Sequence, residues 1–146
     1  MWADALYLAE RHHVLVLAAW GAACTLVGTL LLLLLALRRM RSELVRHFAI
    51  QTAAWGAVIL AIALVARRGL AYRDLDGFTR LDRFLWLNVG LDAGYAMVGI
   101  TLAVLGWRLG RRLGLVGAGL GVVMQGLALL VLDARLIAVL DRLAAG

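Results

Sequence analysis

Four polar side chains in the second half of the sequence sit where chemistry would be conspicuous. Asn88, Asp92 and Tyr95 interrupt one long apolar run, and Gln125 interrupts the next. Asn88 stands one helical turn before Asp92, and Tyr95 stands about one turn after it on a neighbouring face. Asp92 lies about 12 Å below the start of its run, counted along a helix. Gln125 lies about 10.5 Å from the same face, counted back from the far end of its own run. The four are therefore expected to form one buried polar network. A carboxyl at that depth is costly and by default a functional candidate, as a proton or cation site. The competing role is interhelical hydrogen bonding, with average contributions of about 0.6 kcal/mol. One acid with no second acid or buried base favours the interhelical role.

The other chemistry-bearing residues are few. His12 and His13 precede the first apolar run and His47 precedes the second. His13 or His47 could ligate a haem or a pigment magnesium, and Ala9, one turn before His13, would leave room for a macrocycle. Interfacial histidines more often face headgroups, so no cofactor is expected beyond bound lipid. Cys24 is the single cysteine, which excludes an internal disulfide framework and a paired-cysteine metal or redox site. No metal site is expected.

These residues must be positioned by apolar helices. Of 146 residues, 64% are hydrophobic, 16% are charged and none is proline. Soluble domains are nearer half apolar and a quarter charged. Four apolar runs, Val14–Leu37, Phe48–Ala66, Phe84–Trp107 and Leu113–Leu132, each approach the roughly 20 residues that a spanning helix needs. The expected fold is all-α: a single four-transmembrane-helix bundle. Val14–Leu37 is too long for a signal-peptide core and ends in stop-transfer arginines. Trp86 and Trp107 bracket the third run about 31 Å apart, matching the hydrocarbon thickness, and are read as interfacial anchors.

Short interfacial helices are expected beside the spans. Leu75, Phe78, Leu81 and Leu85 recur at helical spacing, as do Trp2, Leu6 and Ala9, and the tail residues Leu136, Val139, Leu140 and Leu143. Helix packing is assigned to small residues: Gly90 and Gly94 on the third span, Gly117 and Gly121 on the fourth, and Gly56 on the second. The sequence from Ala18 to Ala22 recurs from Ala53 to Ala57. Coincidence or helix packing accounts for this echo better than a transporter's inverted repeat.

The net charge is +6 and every basic residue is arginine. The arginines end the apolar runs, where lipid phosphates rather than nucleic acid are the nearer partners. Arg38–His47 carries four arginines against one glutamate, and Arg108–Arg112 carries three and no acid. This density places the two short loops in the cytoplasm and both termini in the periplasm of a bacterial inner membrane.

The stretch from Asn88 to Tyr95, Gln125-Gly126, Leu132-Asp133 and the Trp55-Gly56-Ala57 turn resemble an uncharacterised bacterial family of small four-helix membrane proteins. The resemblance covers about the last two-thirds of the chain. It implies a four-helix fold and no known activity. Small multidrug exporters differ, because no acid lies between Val14 and Leu37. Glutathione-using membrane enzymes are only echoed by Arg83, Asn88 and Asp92, and quinone-reducing thiol enzymes need paired cysteines. The expected function is non-enzymatic: an accessory subunit packing against other integral membrane proteins, in a respiratory or photosynthetic complex. The alternative is a small homo-oligomeric transporter or channel with Asp92 lining the path. A membrane enzyme built on Arg83, Asn88 and Asp92 is the third.

Overall fold

The computed structural model describes residues 2–145. It is an all-α four-helix bundle. The helices are α1 (Trp2–Leu37), α2 (Glu43–Arg68), α3 (Leu75–Arg108) and α4 (Leu113–Ala145). Each is long and apolar enough to cross a membrane. Ser42 starts α2 by accepting a hydrogen bond from the Val45 amide, and Asp74 starts α3 by accepting one from the Gly77 amide.

The apolar surface mostly points outward. In the most apolar stretch of α1 only 17% of residues are buried, and in α4 the share reaches 39%. That difference identifies α4 as the centre of the bundle. It packs against α3 and α2 and, more lightly, against α1, while α1 packs along α2. The backbones of α2 and α3 do not approach closely, nor do those of α1 and α3. A cleft therefore runs between α2 and α3, floored by α4 and α1.

Glycine contacts set the close approaches. A Cβ on Gly21 would lie 2.8 Å from the Gly56 carbonyl, and one on Gly56 would lie 2.8 Å from the Gly21 carbonyl. Gly28 faces Ala49 and Ala53 in the same way. On the other side of the bundle Gly99 meets Gly119, and Gly126 meets Asp92 and Ala96. Gly117 rests on Leu44 and Gly121 on Gln51, which joins α4 to α2.

The expected short interfacial helices are not separate elements. α1 already begins at Trp2, α3 at Leu75, and α4 continues to Ala145. Most of the apolar positions that suggested them pack on one another, while Leu75 and Val139 stay exposed. Leu6, Leu81, Leu85, Leu136, Ile137 and Leu140 form one buried cluster, flanked by Trp2, Phe78 and Leu143. The Trp2 and Phe78 rings meet at 5.5 Å. With no proline to interrupt the helices and partners for each apolar face, extension is the lower-energy arrangement. Each leucine withdrawn from water in such a cluster contributes about 1.5–3 kcal/mol.

Candidate binding cleft

The cleft between α2 and α3 encloses about 520 Å³. Its walls are mainly apolar, with Ile59, Ile62 and Val65 from α2 facing Phe84, Leu85 and Leu91 from α3. One end is closed by the Trp55 and Tyr95 rings, which meet edge-to-face at 5.3 Å. Towards the other end lie Glu10 and His13 from α1, Arg73 from the α2–α3 connection, and Asp133 from α4. Asn88 and Asp92 of α3 also line it.

Glu10 occupies the buried face of α1, one turn from both Leu6 and Val14. Its carboxylate accepts two hydrogen bonds from Arg73, from Nε to Oε2 at 2.8 Å and from Nη2 to Oε1 at 2.5 Å. A planar guanidinium fits a carboxylate in this fork, and the charge-assisted bonds are stronger than neutral ones. The hydrogen bond to Glu10 and its negative charge raise the pKa of Arg73 above the ordinary arginine value, against the lowering effect of burial. Tyr72, the preceding residue, stacks on Tyr7 with ring centroids 5.0 Å apart. The two contacts strap the α2–α3 connection to the first turns of α1.

His13 follows Glu10 on the neighbouring face of α1, and its Nε2 lies 3.2 Å from Asp133 Oδ1. Asp92 is only 5% exposed. Its Oδ2 is buried and accepts no hydrogen bond. Of the three acids at the cleft, Glu10 has Arg73 and Asp133 has His13, while Asp92 has no counter-ion within bonding distance among the described residues. Asp133 of α4 lines the same cleft as Asp92.

The network expected from the sequence is divided in two. Asn88, Asp92 and Tyr95 do share the cleft, but Gln125 does not line it. Gln125 Oε1 instead accepts a hydrogen bond of 2.9 Å from Trp20 Nε1. The correction lies in direction rather than depth. Gly126 is the α4 residue that touches Asp92 and Ala96. One residue earlier, Gln125 is rotated about 100° around the helix and reaches Trp20 of α1. Gln125 Nε2 and the equally buried Thr52 Oγ1 make no hydrogen bond.

Two packing assignments are also corrected. Nothing lies within 4 Å of a Cβ placed on Gly90 or Gly94, so neither mediates a contact inside the bundle. The α3 residues that do so are Gly99 and Gly106. Gly56, Gly117 and Gly121 do sit at helix contacts. Trp86 and Trp107 are both more than half exposed, and the Arg111 guanidinium lies 5.0 Å above the Trp107 ring.

The two candidate cofactor ligands belong to opposite ends of the bundle. His13 faces Asp133, whereas His47 Nδ1 lies 2.9 Å from the Glu43 carbonyl and its ring packs on Gly114. Among the described residues, no group of three or more His, Cys, Asp and Glu side chains is arranged to hold a metal ion. Glu10, Arg73 and Asp133 are not among the site residues that the sequence points to. For Glu10 a signal was present, since its spacing of four from both Leu6 and Val14 puts it on the buried stripe of α1.

The profile of a family described as a family of unknown function, DUF6992, matches residues 16–134. No curated protein and no solved structure matches the chain. The match extends from the first turns of α1 beyond Glu10 and His13 to the residue after Asp133, and thus takes in Asn88, Asp92 and Arg73. The chain belongs to this family of unknown function, DUF6992.

Proposed function

We propose that this is a non-enzymatic integral membrane protein of the bacterial inner membrane that acts by packing, as an accessory subunit, against other membrane proteins. In this reading all four helices span. The Arg38–His47 and Arg108–Arg112 segments face the cytoplasm, and the ends of the helical bundle near Trp2 and Ala145 face the periplasm. The observation that carries the proposal is the open space at Gly90 and Gly94. Every other glycine within the four helices has atoms within 4 Å of where its Cβ would be, whereas these two have none. They stand one turn apart on an outward face of α3. Leu87, Met97 and Val98 around them are exposed. Small residues four apart let a second helix approach closely and gain van der Waals contact, the main source of helix association in lipid. A respiratory or photosynthetic assembly remains the expected setting.

The test is purification from native membranes in mild detergent, followed by mass determination of the intact particle. A stoichiometric complex with a different integral membrane protein supports the proposal, and a pure homo-oligomer opposes it.

A specific observation favours one second reading, a small oligomeric transporter or channel. Asp92 lines the cleft, and its buried Oδ2 has no hydrogen-bond partner among the described residues, as expected of a proton or cation site. Flux in liposomes that is lost in Asp92→Asn without loss of assembly distinguishes this reading from the first.

A further inference from the structure

We propose that the α2–α3 cleft binds an amphiphile with a primary ammonium head, which donates a hydrogen bond to the Asp92 carboxylate while its chain lies among Ile59, Ile62, Phe84 and Leu91. This site is independent of the docking face on α3.

Three features select that chemistry. The first is shape. The cavity of about 520 Å³ lies within the range of roughly 300–1,000 Å³ typical of small-molecule sites. It lies between two helices whose backbones do not touch, so a chain enters from the side of the bundle. Ile62, Val65 and Phe84 at its walls are all exposed, which leaves the entrance apolar.

The second is an unmet hydrogen bond. Asp92 lines the cleft, and its Oδ2 is buried and has no donor among the described residues. A buried acceptor left unsatisfied is costly, and more so when the group is charged. A ligand that supplies the donor recovers this energy. An alkyl or aromatic ligand lacking a donor does not.

The third is the sign of the charge. Three carboxylates, Glu10, Asp92 and Asp133, line the cleft against one arginine and one histidine. Arg73 already presents Nε and Nη2 to Glu10. An anionic head would therefore meet two further carboxylates with the guanidinium fork engaged. An ammonium head meets the reverse arrangement, with Asp92 as its acceptor and Asp133 lining the same cleft. A quaternary ammonium carries the charge but no N–H, so it leaves Asp92 Oδ2 unsatisfied.

The ammonium can belong to a lipid headgroup or to a free amine, and the experiment separates the sources. The protein is placed in phosphatidylglycerol nanodiscs and its unfolding temperature is followed during titration with decylamine, decyltrimethylammonium or decanoate. Decylamine is expected to give a saturable rise, with at least tenfold weaker apparent affinity for decyltrimethylammonium and no rise with decanoate. Asp92→Asn is expected to weaken decylamine at least tenfold relative to wild type in the same lipid, which cancels non-specific partition of the amine. Ile62→Trp fills the apolar part of the cleft without touching the polar end, and is also expected to weaken decylamine at least tenfold. Nanodiscs containing phosphatidylethanolamine that abolish the decylamine response assign the head to a lipid. A response that survives there assigns it to a free amine. Equal responses to decylamine and decanoate overturn the proposal, as does undiminished decylamine binding in Asp92→Asn. Should Asp92→Asn not fold, unaltered binding in Ile62→Trp overturns it alone.

Discussion

Arg73 reaches back across 63 positions of sequence to hold Glu10 by two parallel hydrogen bonds. One side chain thereby fixes the α2–α3 connection, the start of α1 and the polar end of the cleft. Arg73→Ala leaves the Glu10 carboxylate buried and unpaired. The expected loss of stability is about 2–3 kcal/mol near neutral pH, read by unfolding in detergent or nanodiscs. Arg73→Met combined with Glu10→Gln should recover part of it, because no buried charge remains. The raised pKa of Arg73 fixes the pH dependence of this contribution. A basic group with a raised folded-state pKa stabilises fully below its unfolded pKa, which for arginine lies well above pH 10. The Arg73→Ala deficit should therefore stay constant between about pH 7 and about pH 10. A deficit that vanished as pH rose within that window would contradict the fork.

Gly21 and Gly56 meet backbone to backbone where α1 crosses α2. Gly56→Leu must push the helices apart, at an expected cost of at least about 1–3 kcal/mol. Gly94→Ala meets no atom and should be neutral or stabilising by up to about 1 kcal/mol, from helix propensity alone. Thermal unfolding of the two purified variants side by side checks the contrast, and equal losses would contradict it.

Much of the helical organisation could be read from the sequence, because four long apolar runs separated by arginines allow few other arrangements. What could not be read was whether the helical spacing at Leu6, Leu81 and Leu140 marked separate interfacial helices or extensions of the spans. That depended on those side chains finding one another across three helices, which no local pattern encodes. The site was legible in part. Asp92 and Asn88 stood out because they are polar within an apolar run. Gln125 was paired with them because depth along a helix can be counted, whereas azimuth depends on which face α4 turns to α3. Gly126 decides that face. Arg73 lay in a connection with no periodicity, and its pairing with Glu10 is purely tertiary.

The indole of Trp20 donates to Gln125 across the α1–α4 contact. Gln125→Leu strands that donor, and Trp20→Phe removes it while leaving the amide. Each should cost about 1 kcal/mol, and the double variant should cost less than the sum of the two. A double-mutant cycle on unfolding free energies measures the coupling, and strict additivity would show that the bond contributes nothing.

Orientation is tested by labelling single cysteines in intact cells, in a Cys24→Ala background. Arg41→Cys is expected to be shielded from an impermeant thiol reagent and Tyr72→Cys to react. Both side chains belong to exposed positions, so burial does not confuse the result. The reverse pattern inverts the topology, and labelling of both contradicts the number of spans.

The proposal that α3 docks another membrane protein is tested most directly at Gly90 and Gly94. Because neither touches the rest of the chain, Gly90→Leu/Gly94→Leu leaves the bundle itself unobstructed while roughening the outward face. Wild type and the double variant are purified from the same native membranes, and their intact masses and unfolding temperatures are compared. The account predicts a wild-type complex with a second integral membrane protein. It predicts that the variant emerges as the free chain, with an unfolding temperature equal to that of wild type freed from its partner. A variant that retains the complex, or a wild type that carries no foreign subunit, would contradict it.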